Sequence, residues 1–292
     1  MIVRRVWRAL SDPPGVHPLF QRIVLLPPSV PRHSFTLANT IVNLVLGVGY
    51  HLPTLLFLLM PLILLILGVA YGLDCALRVS TAVARAHEDN TYNLLSLTPG
   101  GAIGASWALT TSALYRNRDF SRLQVTVWGT LMAGLVLTPV IAAVSIVLAK
   151  DISGHFLTAL DVLVNSLNML ALLGVLYMEY VGSTVQGVLV GMLTPTYVSN
   201  RLDANLYALM TFLLLQVIAY TVFALLGFTL LPGLLDSLLA GDGLASVLVS
   251  PLRVVVFYGI REALVAGLWR MLTIRLHTSL GEFAAVSRPT LW

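Results

Sequence analysis

Charged residues are scarce in this chain of 292 residues, at 10% of the total, whereas an average soluble domain contains about 25%. Lys150 is its only lysine and Cys75 its only cysteine. A lone cysteine excludes an intrachain disulfide, and the lack of a basic block interleaved with aromatics argues against a nucleic-acid partner. The chain also has no G-x-x-x-x-G-K-[ST] segment, which excludes phosphate binding by a P-loop.

Residue patterns for catalysis or metal binding are missing as well. The six histidines show no paired helical spacing of the kind that binds metal or haem. The segment GAS at 104–106 lacks the G-x-S-x-G shape of a nucleophile elbow. We therefore predict that the chain is not an enzyme and that it binds no metal or cofactor itself.

Apolar residues, in contrast, make up 58% of the chain. This proportion, with so few charges, is typical of an all-α polytopic membrane protein. A helical span needs about 20 residues, so the length suits six or seven spans with short loops. We predict spans at about 35–51, 54–77, 124–148, one within 155–199, 205–232 and 245–268.

Residues 155–199 decide between six spans and seven. As a single helix they would reach about 68 Å, roughly twice the hydrocarbon thickness of a bilayer. They hold either two spans, or one span with an interfacial or re-entrant piece at about 155–172. In both cases we predict a break or strong bend between about 168 and 183, near Gly174 or Gly182.

The distribution of arginine favours six spans. Five arginines precede residue 34, five lie between the second and third spans, none lies in 233–244 and three follow residue 268. Because cytoplasmic loops carry an excess of positive charge, this pattern places both termini in the cytoplasm and 233–244 outside. Residues 85–122, 200–204 and 270–292 are then cytoplasmic. Seven spans would place the basic tail outside.

The chain therefore divides into three parts. Residues 1–34 form a cytoplasmic or interfacial segment, because Trp7 lies among arginines and six later prolines forbid one long helix. A disordered tail is the alternative for this part. Residues 35–268 form a single transmembrane domain with a cytoplasmic segment at about 85–100, and residues 269–292 form a cytoplasmic tail.

Nine polar or charged residues fall within or beside the predicted spans, where such residues are costly and mark either function or packing. They are Asp161, Asn165, Asn168, Glu179, Gln186, Gln216, Arg253, Arg261 and Glu262. One interpretation is a water-exposed cavity or translocation path. The other, which we favour for 158–168, is an outer interfacial helix whose polar stripe faces water.

A shorter polar stripe consists of Glu179, Ser183 and Gln186, which follow helical spacing. A single unpaired charge inside a bundle is costly. We therefore expect Glu179 to pair with Arg253 or Arg261 rather than to bind a substrate.

The longest polar-rich passage between two apolar runs is HEDNTYNLLSLTPGG, residues 87–101. Five residues follow the i, i+3, i+6, i+7, i+10 spacing of one helical face: Glu88, Thr91, Leu94, Leu95 and Thr98. Pro99 and the two glycines after it should end this helix. A short amphipathic helix at the cytoplasmic end of a bundle either lies on lipid headgroups as a connector or docks into a groove of a partner.

This passage resembles the cytoplasmic motif of ABC-2 type transporter permeases, which has an acidic residue, Gly-Thr, two leucines and Thr-Pro between spans 2 and 3. Asn90 stands where that family usually has glycine. The residues that match in type and spacing are Glu88, Thr91, Leu94, Leu95, Thr98 and Pro99. The resemblance implies that the helix is a coupling helix, which docks in a groove of an ABC ATPase subunit.

The resemblance also implies a function and partners. The chain would be the permease subunit of an ATP-driven exporter in the inner (plasma) membrane of a prokaryote, with ATP and Mg²⁺ bound by the separate ATPase subunit. A second permease subunit, identical or different, would complete the path among membrane lipids. Two other hypotheses stay open: a non-transporting assembly subunit of a larger membrane complex, and a lipid-acting enzyme for which the sequence offers no nucleophile.

Overall fold

A computed structural model describes residues 1–11, 53–97, 101–116, 129, 132, 159–198, 200–238 and 244–276, and the regular structure in these residues is helical throughout. The helices are α1 Ile2–Ser11, α2 Pro53–Glu88, α3 Thr91–Ser96, α4 Gly101–Tyr115, α5 Ala159–Leu193, α6 Arg201–Ala224, α7 Leu231–Leu238 and α8 Leu244–Arg275. A 3-10 turn, Thr194–Thr196, follows α5, and a π-helical segment, Leu225–Leu230, joins α6 to α7.

Three of the described helical stretches are long and apolar enough to cross a membrane. They are Leu65–Glu88, Ser166–Thr196 and Arg201–Leu235. The prediction of an all-α chain is therefore confirmed for the described residues, which include three candidate membrane-spanning helices. The predicted spans at 35–51 and 124–148 lie outside the described residues, apart from Gly129 and Met132. The predicted last span, 245–268, is helical within α8 but is not one of the three.

Of the break or strong bend that we predicted between 168 and 183, the break is wrong. The helix α5 runs without interruption from Ala159 to Leu193 and passes through Gly174. From Ala159 onwards, the polar piece predicted at about 155–172 is therefore the first part of this same helix. No proline occurs inside α5, and glycine is tolerated in a membrane helix where a neighbouring helix packs against it. The helix ends where Pro195 enters the 3-10 turn.

The chain divides into two compact units. The first comprises Met1–Ser121, Glu179–Val217 and Glu262–Trp292, and the second comprises Arg122–Met178 and Ile218–Arg261. The helices α5, α6 and α8 each contribute residues to both units.

In the first unit, small residues bring the backbones of α2 and α5 into close contact. A Cβ atom on Gly72 would lie 2.5 Å from the carbonyl oxygen of Ser183, and one on Gly191 would lie 2.6 Å from that of Ala76. Residue numbers rise together along this contact, so the two helices run parallel. Packing through small residues is a common mode of helix association in membranes, where lipid is as apolar as the helices themselves.

The helix α6 crosses the same unit in the opposite direction. The hydroxyl of Thr81 donates to the side-chain oxygen of Asn205 over 3.1 Å. Nine residues earlier on α2, Gly72 faces the ring of Phe212, whose Cζ would lie 2.7 Å from an added Cβ. Numbers fall on α2 as they rise on α6, so these helices are antiparallel.

In the second unit, α8 runs parallel to the first part of α5. The hydroxyl of Ser250 donates to the side-chain oxygen of Asn168, and Val254 lies against Gly174. Numbers again rise together, so the chain crosses in the same direction on both helices.

The same part of α8 runs antiparallel to the end of α6 and its π-helical continuation. The rings of Phe223 and Phe257 meet edge to face, with centroids 5.0 Å apart. Four residues further along, Gly227 accepts a hydrogen bond from Arg253, which lies four residues earlier on α8.

The apolar face of the amphipathic helix α1 is buried against other parts of the protein. Val3, Val6 and Leu10 are buried, whereas Arg4 and Arg8 on the other side are exposed. The apolar face of α1 therefore packs against protein, and its arginines face outwards.

Glu262 on α8 holds the start of α1. Its carboxylate accepts hydrogen bonds from the backbone N–H groups of Ile2 and Val3, the second over 3.2 Å. The first N–H groups of any helix lack intrahelical acceptors, and a carboxylate there also interacts favourably with the helix dipole. At the other end, the hydroxyl of Tyr115 donates to the carbonyl of Leu10 over 2.8 Å. Glu262 is thus a capping residue for a helix 260 positions away in sequence.

We expect Glu262→Ala to release α1 from the first unit. The variant leaves two N–H groups without their acceptor, which costs about 1–3 kcal/mol for each buried group left unsatisfied. The arginines of α1 should then be cleaved by trypsin about tenfold faster, measured by N-terminal peptide release from protein in detergent. Asp203→Ala, which removes an exposed carboxylate from α6, is the control and should keep the wild-type rate. Equal cleavage rates for the two variants would contradict the capping role.

Candidate functional site

The predicted coupling segment is a long helix, a turn and a very short helix, not one continuous helix. The helix α2 ends at Glu88, and Asn90 takes a left-handed conformation with φ of 55° before α3 begins at Thr91. Asparagine adopts this conformation more readily than most residues. The prediction that Glu88 and Thr91 share one helical face is therefore wrong. The helix α3 ends at Ser96, before the predicted terminators, and Gly101 opens α4.

Tyr92 anchors α3 to the rest of the first unit. Its hydroxyl donates to the carbonyl of Ala102 over 3.2 Å and shares a 2.8 Å hydrogen bond with the hydroxyl of Ser106. Its ring stacks on that of His87, at the end of α2, with centroids 3.9 Å apart. Burial raises the pKa of Tyr92, while the hydrogen bond with Ser106 opposes that shift, so the phenol remains a donor at neutral pH. The result is a short helix tied to both α2 and α4.

The outer side of this segment is exposed. Thr91, Asn93 and Leu97 are exposed, with Leu97 at 82%. Leu95, which the sequence places on the docking face, is only half exposed. The side chain of Leu94 and the residues Thr98 and Pro99 lie outside what the structure describes. We call Thr91, Asn93 and Leu97 the α3 surface.

Glu88 connects this segment with the start of α6. One of its carboxylate oxygens accepts a hydrogen bond from the backbone N–H of Arg201 over 3.0 Å. Arg201 is the first residue of α6, so Glu88 caps a helix whose first N–H groups need an acceptor. The two segments that the sequence predicts to be cytoplasmic, at 85–122 and 200–204, are thereby joined. The sequence suggested only that Glu88 faces a partner.

A second group of predicted residues forms a buried polar cluster between α5 and α6 in the first unit. The hydroxyl of Ser183 donates to the carboxylate of Glu179, and the amide nitrogen of Gln216 donates to the Ser183 hydroxyl over 3.2 Å. All three side chains are at most 3% exposed. Gln186, one helical turn beyond Ser183, is also buried. The sequence-predicted stripe at 179–186 is therefore real and meets Gln216 from the neighbouring helix.

The remaining candidate path residues take separate positions. Asn168 bonds with Ser250, and Arg253 donates to the Gly227 carbonyl over 3.0 Å. Arg261 is buried and lies over the rings of Tyr220 and Phe257. Asp161 and Asn165 lie on α5, but their side chains are outside the described set. The pairing of Glu179 with Arg253 or Arg261 stays a prediction.

Sequence reasoning missed Tyr92, Ser106 and Tyr115, which fix α3 and α1 in place. Each is a polar residue in or beside an apolar helix, and its partner lies on a different segment. No periodic pattern identifies such a pair. A tyrosine inside the polar passage was the one available signal, because a buried tyrosine usually finds a hydrogen-bond partner for its hydroxyl.

Comparison of the chain with protein-family models, curated proteins and solved structures found no match. Function is therefore inferred from the geometry of the described residues and from the sequence motif.

Proposed function

We propose that this chain is the membrane-spanning permease subunit of an ATP-driven exporter of the ABC-2 type, coupled to a separate ATPase subunit through the α3 surface. The observation that carries the proposal is the anchoring of α3. Its exposed side is free to contact a partner, while Tyr92 and Glu88 tie the segment to α2, α4 and α6. A displacement applied to such a segment reaches three helices of the bundle at once. That is the property a coupling element needs.

We propose the six-span topology, with cytoplasmic termini, as the membrane arrangement. The continuous helix Ala159–Leu193 supports one span within 155–199, whereas the seven-span alternative needs two. The helices α2 and α5 run parallel, and two parallel spans require an odd number of crossings between them. The predicted span at 124–148 would supply one. The helix α6 runs antiparallel to α2, and α8 runs parallel to the first part of α5, which fits spans 5 and 6 of this scheme.

The proposed partners are an ABC ATPase subunit, which would bind ATP and Mg²⁺, and a second permease subunit in the same prokaryotic plasma membrane. A single chain with so few spans is too small to enclose a path of this kind alone. The α3 surface lies at the same end of α2 as the start of α6, where the arginine pattern predicts the cytoplasm. An ATPase in the cytoplasm could reach it there.

Leu97→Asp tests the coupling role. If Leu97 enters an apolar groove of the ATPase, its burial contributes roughly 1.5–3 kcal/mol, and a buried unpaired aspartate would remove that contribution. We expect recruitment of the nucleotide-binding subunit to fall about tenfold or more, since about 1.4 kcal/mol corresponds to a factor of ten. The measurement is the amount of P-loop protein that co-purifies from native membranes in mild detergent.

Leu97→Met is the matched control and should recruit the wild-type amount, because its size and apolar character are similar. Full recruitment by a folded Leu97→Asp variant would mean that α3 is only a connector. Leu97 suits this test better than Leu95, whose half-buried side chain could also contribute to folding.

The alternative function is a non-transporting assembly subunit of a larger membrane complex. The observation that favours it is the engagement of the candidate path residues within the chain. Asn168, Glu179, Gln216, Arg253 and Glu262 all make intrachain hydrogen bonds. Co-purification of the wild-type chain in fixed proportion with proteins that contain no nucleotide-binding subunit would select this alternative.

A further inference from the structure

The π-helical segment Leu225–Leu230 offers a backbone acceptor to an arginine from α8. A π-helix hydrogen-bonds to the fifth residue instead of the fourth, and such segments are rare and often lie at functional positions. Here the carbonyl of Gly227 accepts a hydrogen bond from Nε of Arg253 over 3.0 Å. The guanidinium carbon of Arg253 also lies 4.6 Å from the centroid of the Phe228 ring. Both contacts fix the position of the guanidinium group.

Among the described residues of the second unit, no acidic side chain pairs with the charge of Arg253. Its Nε is used by Gly227, which leaves the two terminal nitrogens and their four N–H donors without a bond to those residues. An arginine beside a membrane span is costly unless water, a headgroup or another charge compensates it. Arg253 is therefore a fixed cation whose counter-charge comes from outside the described residues of the second unit.

The position of Gly227 along its candidate span suits contact of the neighbouring Arg253 with a lipid headgroup. It lies eight residues before the end of the candidate span Arg201–Leu235, or about 12 Å at about 1.5 Å per residue. This span is about 52 Å long and exceeds a hydrocarbon layer of about 30 Å by roughly 11 Å at each end when it is centred. Gly227 and Arg253 then lie near the boundary between acyl chains and headgroups. In the six-span topology this is the outer leaflet.

Exposed apolar side chains flank the arginine. Leu225, Phe228 and Leu230 are 54–59% exposed on the same segment. A guanidinium forms paired hydrogen bonds with phosphate oxygens, and an apolar surface beside it accepts acyl chains. We propose that Arg253 and the Leu225–Leu230 segment form a binding site for an anionic phospholipid, with the phosphate on Arg253 and the acyl chains on the exposed leucines and Phe228. This site does not depend on ATPase docking and would exist in the isolated subunit.

Binding of phosphatidylglycerol to the purified chain tests the site. Native mass spectrometry from detergent would measure its affinity, with phosphatidylcholine as the zwitterionic reference. We expect wild type to prefer phosphatidylglycerol and Arg253→Gln to bind it roughly tenfold more weakly. Glutamine can still donate to the Gly227 carbonyl, so the variant removes the charge while keeping a hydrogen bond to the π-helix. Arg253→Lys should recover part of the affinity, because it restores charge without the paired donors.

Val255→Gln is the matched control. It places the same new side chain two positions along α8, where Val255 is 64% exposed, and it should leave lipid binding unchanged. The proposal is overturned if wild type shows no preference for phosphatidylglycerol over phosphatidylcholine, a result that does not require any variant to fold. It is also overturned if inorganic phosphate displaces the lipid completely, which would indicate a site for free phosphate.

Discussion

Gly72→Ala is expected to leave little folded protein, although it adds a single methyl group. The added Cβ would lie 2.5 Å from the carbonyl oxygen of Ser183, 2.8 Å from its carbonyl carbon and 2.7 Å from the ring of Phe212. Two of these neighbours are backbone atoms of α5, which cannot move aside like the end of a flexible side chain. Relief of the overlap requires α2 to separate from α5 and α6 together. Overpacking of this kind costs about 3 kcal/mol or more, at the upper end of the usual range.

The measurement is the melting temperature and the monodisperse fraction of the chain after extraction in mild detergent. Gly259→Ala and Gly267→Ala are the matched controls, since no atom lies within 4 Å of an added Cβ at either position. Both glycines lie inside α8, and alanine favours a helix by roughly 0.5–1 kcal/mol over glycine. We therefore expect the controls to melt at or slightly above the wild-type temperature. If Gly72→Ala melts with the controls, the close contact between α2 and α5 does not exist in the membrane.

Long apolar runs allowed several helices to be predicted correctly, and their ends were predicted poorly. The runs around 205–232 and 245–268 became α6 with its continuation and α8, because a membrane helix needs little beyond length and apolar character. The sequence predicted a membrane span that ends at about 77, whereas the helix α2 continues for eleven more residues to Glu88. Polar residues after position 77 are compatible with helix, so a loss of hydropathy does not mark a helix end. A left-handed residue at Asn90 marks the turn that follows.

The break that we predicted in α5 failed for a related reason. The prediction assumed that one helix should match the thickness of the bilayer, and it used Gly174 and Gly182 as weak points. In the structure, Gly187 on the same helix lies where α2 comes closest, with Gly191 beside the next turn, so glycine there serves packing instead of bending. A helix of 35 residues can extend beyond the hydrocarbon at either end. Sequence spacing alone does not distinguish these two uses of glycine.

Helical periodicity predicted the polar stripe at 179–186 but not what it binds. Periodicity places residues on one face of one helix, whereas their partners depend on tertiary packing. Ser183 bonds with Gln216 of another helix, and Glu262 bonds with the start of the distant helix α1. The same limit applies to the segment at 87–101. Glu88 and Thr91 have the right spacing for a shared face, yet a turn separates them. The roles of Glu88 and Glu262 depend on hydrogen bonds to segments that are distant in sequence.

Ser183→Ala is expected to destabilise the chain strongly, because this hydroxyl is the middle member of the buried cluster. It donates to the carboxylate of Glu179 and accepts from the amide of Gln216, so one deletion removes both links. A hydrogen bond contributes roughly 0.5–1.5 kcal/mol to stability, and one to a charged group contributes roughly 1.5–3 kcal/mol. We therefore expect a loss of about 2–4 kcal/mol from the two bonds together. No steric effect competes with this loss, since alanine is smaller than serine and fits wherever serine does.

Ser80→Ala is the matched control for this prediction. Ser80 is as fully buried as Ser183 and lies on α2 of the same unit, but its hydroxyl accepts only a long 3.4 Å hydrogen bond from Thr194. The two variants remove the same atom from similar surroundings and differ in the hydrogen bonds that they remove. Thermal unfolding in detergent should therefore place Ser183→Ala well below Ser80→Ala. Identical melting temperatures for the two serine variants would show that the hydrogen bonds of Ser183 to Glu179 and Gln216 contribute nothing to the packing between α5 and α6.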